Sequence, residues 1–391
     1  MRKPFHYIAL FCCVWSVSVS AQTESIITGA ERLYRYMPAL KNRQIGLVIN
    51  QSSVIGNTHL VDTLCALDNC VARIFAPEHG FRGQAEAGET IQDGQDVRTG
   101  VPIISLYGRK KKPTPDDLAG VDMMIFDIQD VGARFYTYIS TLFYVMEACA
   151  ENNIPLIVLD RPNPNGFYVD GPVLDTRLES FVGVAPLPIV HGCTVGELAR
   201  LFKGEGWINR PDQLQLQVIP CMNYTHQSVY ELPVKPSPNL PNMRSVLLYP
   251  SLCMFEGTVM SIGRGTNSPF QVIGHPDFPI DSFSFVPRPN AAAKYPVHQG
   301  WKCKGVNLGS LNLDSLRSQT QLNLEWLLYF YENFPDQQQF FLKNNFFDLL
   351  AGTRQLRLQI EACKTEAEIR ASWEEDLAFF KKIRLGYLLY P

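Results

Sequence analysis

The sequence lacks the motifs that mark common nucleotide, cofactor and metal sites. No G-x-G-x-x-G follows the first predicted strand, where the chain reads "INQSSVIG", and neither a Walker motif nor a G-x-S-x-G motif occurs. Its 10 cysteines form no C-x-x-C pair, which argues against a zinc knuckle or a thioredoxin-type redox site. Metal binding could draw on His79, Asp127 and Asp130, but the histidines lack the close pairing of zinc ligands. We therefore expect neither a cofactor nor a metal.

Long apolar runs and a strong charge bias are also missing. The apolar run from Tyr7 to Val19 is short for a bilayer span, and no later run approaches the roughly 20 residues that a spanning helix needs. The net charge is -3, and the one dense basic run, Arg109 to Lys112, is typical of a solvated turn. These features predict a protein that neither inserts stably into a membrane nor binds nucleic acid. They leave the oligomeric state open.

The N-terminus is typical of a secretory signal. Arg2 and Lys3 precede the apolar run, and Val19-Ser20-Ala21 fits the small-residue pattern that signal peptidase cuts after. We predict that residues 1–21 are a signal peptide and that the mature protein is periplasmic or secreted. Most of the eight later cysteines are expected to be buried free thiols, although the compartment permits a disulfide or two.

Strand-like and helix-like segments alternate along the first part of the chain. The apolar segments are "QIGLVINQSS", "VARIFAPEHG", "PIISLYG", "VDMMIFDIQD" and "PLIVLDRPNPNG". Helical patterns separate them, which predicts an α/β fold with a mainly parallel sheet covered by helices on both faces. The length favours a second domain, and the stretch from about residue 312 is amphipathic and helical. We place the boundary in the proline-rich "PSPNLPN", giving domains 22–240 and 241–391.

Polar side chains follow four of these predicted strands at their carboxyl ends. In open parallel sheets, ligands bind beyond these ends because the loops converge there and helix N-termini point inward. Each cluster alone could form a helix cap or a turn, but four on one edge predict a ligand site. Carboxylates and an arginine at this edge suit acid/base chemistry on a polar neutral or anionic substrate. The clusters are Asn50-Gln51, Glu78-His79, Asp127 with Gln129 and Asp130, and Asp160-Arg161 with Asn163.

Aromatic residues after the fourth predicted strand favour a sugar. The segment "GARFYTYISTLFY" contains Phe135, Tyr136 and Tyr138, whose rings could stack on the apolar face of a pyranose. Tyr138 is equally compatible with the core of the following helix. Arg134 can fork onto a carboxylate, so an acidic sugar would fit the segment as a whole.

A set of long segments, in this order, resembles a known family. They are "LVINQSSV", "FAPEHGFRGQAEAGE", "SLYG", "KPTPDDLAGVDMMIFDIQDVGARFYTYISTL", "VLDRPNPNG", "GPVLD", "HGCTVGELARLF", "PSPNLPN" and "FEGTVMSIGRGTNSPFQVIG". Together they look like the NamZ family, the exo-acting β-N-acetylmuramidases of bacterial cell-wall recycling. The similarity runs from about Glu24 to the C-terminus and is strong up to about Pro276. It implies cleavage of N-acetylmuramic acid (MurNAc) from the non-reducing end of peptidoglycan fragments, in a cleft between a Rossmann-like domain and a smaller α+β domain that closes it.

The family's E-H-G motif falls on Glu78, His79 and Gly80. The resemblance makes Glu78 the candidate general acid, and partial desolvation after Pro77 would raise a carboxyl pKa toward the value that an acid needs. The alternative is a structural Glu78 that caps a helix or pairs with Arg82. His79 would orient Glu78 or bind the sugar, or it would serve as a supporting histidine.

The sequence leaves the second catalytic group open. Asp127 and Asp130 lie in one family-like segment and Glu256 lies in another. A retaining pair of carboxyl groups stands about 5 Å apart and an inverting pair roughly 6.5 to 9.5 Å apart. A third route uses the 2-acetamido oxygen of the substrate, polarised by Tyr136 or Asp130. The candidate catalytic residues are thus Glu78, His79, Asp130 and Tyr136.

Further residues are predicted to hold the substrate. Two glycines flank Arg264, so the backbone can approach a ligand closely while the guanidinium reaches an anion such as the lactyl carboxylate of MurNAc. The alternative is a solvent-exposed arginine in a glycine-rich hairpin. Asn239 is placed to face the cleft. In contrast, Glu197 is predicted to form a capping box with Thr194. The predicted binding set is Asn50, Arg82, Asp127, Gln129, Arg134, Tyr138, Arg161, Asn163, Asn239, Glu256 and Arg264.

Two functions from different classes are compatible with this sequence. The first is an exported glycosidase that releases terminal MurNAc. The second is an exported protein that binds muramyl sugars without turnover. Both explain the arginines and aromatic residues, but a desolvated Glu78 among other carboxylates is explained by the enzyme alone.

Overall fold

The computed structural model describes residues 24–78, 80–81 and 94–391. The predicted signal peptide, His79 and Arg82 lie outside the described residues. In these ranges, no helix has both the length and the apolar character that a bilayer crossing requires.

A seven-stranded sheet organises the first part of the chain. Its strand order is β11-β8-β7-β1-β4-β6-β5, and all neighbouring pairs are parallel except β5 with β6. The strands of the described residues are β1 Ile45–Ile49, β2 Val54–Ile55, β3 Thr58–His59, β4 Val71–Ala76, β5 Gly94–Gln95, β6 Pro102–Ser105, β7 Met123–Asp127, β8 Leu156–Leu159, β9 Asp170–Val173, β10 Pro188–Val190, β11 Leu216–Ile219, β12 Val272–His275, β13 Phe283–Phe285 and β14 Cys303–Asn307.

Helices cover both faces of this sheet. The side chains of β1 alternate between two cores: Val48 packs with α4 and α5, while Leu47 and Ile49 pack with α1 and α2. The α-helices are α1 Leu33–Leu40, α2 Leu60–Ala66, α3 Pro115–Leu118, α4 Tyr138–Glu151, α5 Val195–Gly204, α6 Met243–Leu252, α7 Leu313–Arg317, α8 Glu325–Glu332, α9 Phe346–Ala351, α10 Gln355–Glu361, α11 Glu366–Ala371 and α12 Glu374–Arg384. Short apolar strands buried on both sides are what a covered parallel sheet requires, and the predicted α/β fold is confirmed.

The strand order creates a crevice beside β1. β4 and β6 lie on one side of β1 in the sheet. The chain then crosses back, and β7, β8 and β11 follow in order on the other side of β1. This is the Rossmann-like order, in which ligands bind where the direction of winding reverses. The loops after β1, β4 and β7 therefore border one crevice.

The second part of the chain is α+β. It contains a small antiparallel sheet of order β12-β14-β13 and the helices from α6 onward. The predicted boundary at residues 240 and 241 falls just before α6. All eight cysteines of the described residues are free thiols.

Candidate active site

A cavity of about 260 Å³ lies at the carboxyl ends of the sheet strands, against the second part of the chain. Its lining includes Glu78 after β4, the segment 135–138 that leads into α4, and residues of the linker before α6. The opposite wall contains Glu256, Arg264 and residues of α6 and α9. The crevice of the sheet thus becomes an enclosed site only where the second part packs against it.

Glu78 presents a carboxyl group to this cavity. It follows Pro77 immediately beyond β4, so the end of a core strand fixes its backbone. Thr137, the residue before α4, donates a hydrogen bond from Oγ1 to Glu78 Oε2 at 2.8 Å. The hydroxyl of Tyr138 lies 3.4 Å from the Glu78 backbone oxygen. The end of one core strand and the start of one helix therefore hold the candidate acid in place.

Aromatic rings form the wall next to Glu78. Tyr136 makes edge-to-face contacts with Tyr138 and Tyr249, with ring centroids 4.9 and 5.7 Å apart. The Tyr136 hydroxyl donates to the Pro236 carbonyl at 2.7 Å, and burial raises the pKa of Tyr136 well above its usual value. Tyr136 is therefore a neutral phenol whose proton is already engaged, and it forms a largely buried part of the cavity wall.

Glu256 and Arg264 form an ion pair on the opposite wall. Glu256 Oε1 lies 2.5 Å from both Nε and Nη2 of Arg264, and the guanidinium lies 5.2 Å from the centre of the Phe270 ring. Gly263 and Gly265 both have φ of +79°, the left-handed region that favours glycine, which allows the tight loop that carries Arg264. Both side chains stay about a quarter exposed, so the pair faces the cavity.

Asn239 supplies a buried polar group to the same cavity. Its Nδ2 donates to the Ala292 carbonyl at 2.7 Å, while its Oδ1 accepts no hydrogen bond from any described residue. A buried acceptor without a partner is costly in a folded protein.

Asp127 and Arg161 bind each other and do not line the cavity. Arg161 Nε and Nη2 reach the two Asp127 oxygens at 2.6 and 2.9 Å, and both side chains are essentially fully buried. Breaking such a pair to bind a substrate would leave an uncompensated buried charge. The structure therefore assigns these two residues a scaffolding role in place of the predicted substrate contact.

Four other polar residues after the strand ends lie outside the cavity lining and hydrogen-bond to protein groups. Asp130 Oδ2 accepts from the Gly132 amide at 2.6 Å, and Gln129 Nε2 donates to the backbone oxygens of Asp130 and Pro162. These side chains follow the ends of buried strands. Their hydrogen bonds satisfy nearby backbone groups that are shielded from water. The four that do not line the cavity are Asn50, Gln129, Asp130 and Asn163.

Arg134 also departs from the predicted substrate contact. Its side chain is fully buried and donates to the carbonyl oxygens of Pro172, Leu187 and Leu350 at 2.7 to 3.0 Å. Burial lowers the pKa of Arg134 to about 9. The residue ties α9 to the strand pair β9 and β10, and it does not reach the cavity.

The structure adds cavity residues that sequence reasoning did not select. Thr137 lies within the segment "GARFYTYISTLFY", which the sequence analysis selected for its aromatic residues. The threonine among those aromatic residues was the sequence feature that could have identified it. Tyr249 and Phe346 lie on α6 and α9, where a sequence pattern gives no sign of a site. Among the described residues, no three His, Cys, Asp or Glu side chains are placed to share a metal ion.

Comparisons with known proteins give the family. Two family models, described as the N-terminal and C-terminal parts of exo-beta-N-acetylmuramidase NamZ, match residues 45–244 and 247–390. The chain is 39% identical to the peptidoglycan beta-N-acetylmuramidase NamZ of Bacillus subtilis (strain 168), over 96% of this chain and 94% of that protein.

Solved structures agree with this match. Two crystal structures of DUF1343 family proteins from Bacteroides fragilis NCTC 9343 superpose with TM-scores of 0.86 and 0.81, at 46% and 28% identity. Each similarity covers 94% of this chain and 99% of the other. The chain therefore belongs to the NamZ family of exo-β-N-acetylmuramidases, as its sequence segments predicted.

Proposed function

We propose that this chain is an exported, exo-acting β-N-acetylmuramidase. It hydrolyses the β-1,4 bond of non-reducing terminal MurNAc in peptidoglycan fragments such as the disaccharide MurNAc-GlcNAc. The observation that carries this proposal is the Glu78 carboxyl group, hydrogen-bonded to Thr137 in an aromatic-walled cavity of a chain from this family. Export rests on the sequence of residues 1–21; N-terminal sequencing of the mature protein should then begin at Gln22, and an intact N-terminus would contradict export.

In this proposal Glu78 protonates the oxygen of the leaving sugar. The Thr137 hydroxyl fixes the direction of the carboxyl group, and correct placement of an acid is a large part of its catalytic effect. Tyr136, Tyr138 and Asn239 line the cavity with little exposed surface, so they bound the space that the pyranose fills.

Arg264 is suited to the lactyl carboxylate of MurNAc. Glu256 engages the Nε and Nη2 groups, and Nη1 donates to no other described residue, so one edge of the guanidinium is available to an anion. Of the described residues that line the cavity, only Glu78 and Glu256 carry carboxylates. Glu256 is therefore the better placed of the carboxylate candidates for a second catalytic role, because neither Asp127 nor Asp130 lines the cavity.

The test is product release from MurNAc-GlcNAc by protein that starts at residue 22, followed by mass spectrometry. We expect free MurNAc and GlcNAc from the wild type and a loss of about a thousandfold in kcat for Glu78→Gln, a typical cost of removing a general acid. Glu332→Gln, an exposed glutamate at the end of α8, is the matched control and should keep full activity.

Two outcomes would contradict the proposal. Full activity of Glu78→Gln would remove Glu78 from the acid role. Absence of release by the wild type, with binding of the disaccharide seen by calorimetry, would identify a muramyl-sugar binding protein without turnover.

A further inference from the structure

We propose that a second cavity, next to the first, binds the leaving sugar on the reducing side of the scissile bond. The inference rests on the proposed function, because it assigns the next part of the same substrate. This cavity has a volume of about 520 Å³, and its lining comes from the second part of the chain, between Glu256 and Phe346.

The two cavities adjoin at a common wall. Glu256, Arg264 and Phe346 line both of them. A hydrogen bond of 2.7 Å also joins Asn239 in the lining of the first cavity to the Ala292 carbonyl, whose residue lines the second. The two cavities are therefore neighbours, separated by these shared side chains.

The lining of the second cavity favours an uncharged ligand. Its charged side chains among the described residues are Glu256 and Arg264, which neutralise each other at 2.5 Å. His298 is engaged through Nε2 with the Val259 carbonyl at 2.7 Å. The remaining lining is largely apolar and matches the C–H faces of a neutral amino sugar such as N-acetylglucosamine (GlcNAc).

Tyr295 gives this cavity a ring on which a sugar can stack. Its side chain is 90% exposed although it lines the cavity, so one face of the ring is accessible. An exposed tyrosine combines an apolar ring face with a polar hydroxyl, and both suit contact with a pyranose. A substitution of Tyr295 therefore tests ligand binding in the second cavity without changing the lining of the first.

The experiment compares two substrates that differ in the leaving group. MurNAc-GlcNAc places a sugar in the second cavity, whereas methyl β-N-acetylmuramide places a single methyl group there. We expect Tyr295→Ala to lower kcat/KM for the disaccharide roughly tenfold, mainly through KM, and to leave the methyl glycoside unchanged. Tyr295→Phe keeps the ring and should retain wild-type values. The matched control is Tyr34→Ala, an exposed tyrosine of α1 that lines neither cavity.

Each other outcome overturns the inference in a recognisable way. An equal loss on both substrates would place the effect of Tyr295 in the first cavity or in folding, and no loss on either would remove Tyr295 from substrate binding. A loss seen only with a peptide-bearing disaccharide would assign the second cavity to the stem peptide. If the wild type hydrolyses neither substrate, the proposed function itself fails and this inference fails with it.

Discussion

Glu78 and Asp127 both follow buried strands of one sheet, yet their surroundings differ. Glu78 faces the cavity and receives a hydrogen bond from Thr137, whereas Asp127 is closed off by Arg161. The side chain opposite each residue decides the difference, since a carboxylate that meets a buried guanidinium pairs with it. Residue type and strand position identify both residues as candidates. Only the spatial neighbour of each carboxylate distinguishes the one that lines the cavity from the one that is held in a buried ion pair.

Thr137 offers a test of how Glu78 is positioned. We expect Thr137→Val to lower kcat by a factor on the order of 10 to 100, because the candidate acid loses the hydrogen bond that directs it. Thr137→Ser keeps the hydroxyl and should restore most of the activity. Steady-state kinetics on MurNAc-GlcNAc, together with a urea unfolding curve for each variant, gives the answer. A valine variant with normal kcat would show that Thr137 does not orient Glu78.

At the scale of elements, caps predicted from sequence can carry additional contacts. The capping box at the start of α5 is present, with Thr194 and Glu197 bonding each other's backbone amides, so the structural prediction for Glu197 is confirmed. Thr194 Oγ1 also donates to the buried Asp160 Oδ2 at 2.7 Å. In the box at the start of α11, the Thr365 hydroxyl donates to Glu368 Oε2 at 2.8 Å, a carboxylate that is exposed to solvent and also accepts from Lys364.

The two capping boxes predict different losses in the free energy of unfolding for the same Thr→Ala substitution. We expect Thr365→Ala to lower the free energy of unfolding by about 1 kcal/mol, as loss of an N-cap does. Thr194→Ala should cost about 2 to 3 kcal/mol, because a buried carboxylate also loses a donor. Urea denaturation followed by circular dichroism measures both. Equal costs would mean that the hydrogen bond to Asp160 contributes nothing to stability.

At the scale of the whole molecule, one hydrophobic core joins both parts of the chain. The same cluster contains Phe126 of β7, Tyr249 of α6 and Phe330 of α8. Polar contacts cross in the same way: Arg370 Nη1 reaches Asp170 Oδ2 of β9 at 2.9 Å, and Arg134 reaches the Leu350 carbonyl. The two regions that the family models match are therefore not energetically separate units.

This continuity predicts a single cooperative unfolding transition. Arg370→Ala should lower the free energy of unfolding by about 2 kcal/mol, because the largely buried Asp170 loses its ion-pair partner and keeps only the Leu322 amide. The whole transition should shift as one. Calorimetry and far-ultraviolet circular dichroism should give the same midpoint for each protein. Two resolved transitions, or a variant that shifts only one of them, would show that the parts unfold independently.

Much of the fold followed from local patterns. The five apolar segments became the parallel strands β1, β4, β6, β7 and β8, since such runs can be satisfied only inside a covered sheet. The sixth parallel strand, β11, was not predicted because it lies at the sheet edge with mostly half-exposed side chains. The site was predicted as an edge of the sheet, and that edge does border the cavity.

The sequence by itself determined the fold class, the sheet edge that borders the cavity, the family and the cap of α5. The tertiary structure decided which polar residues at that edge face the cavity. Asp127 meets Arg161 across 34 residues and Arg134 meets Leu350 across 216, so neither pairing is present in any local pattern. The physical reason is that the spacing of apolar residues along the chain indicates which faces of each element are buried. The direction of a polar side chain depends instead on which distant group completes its hydrogen bonds.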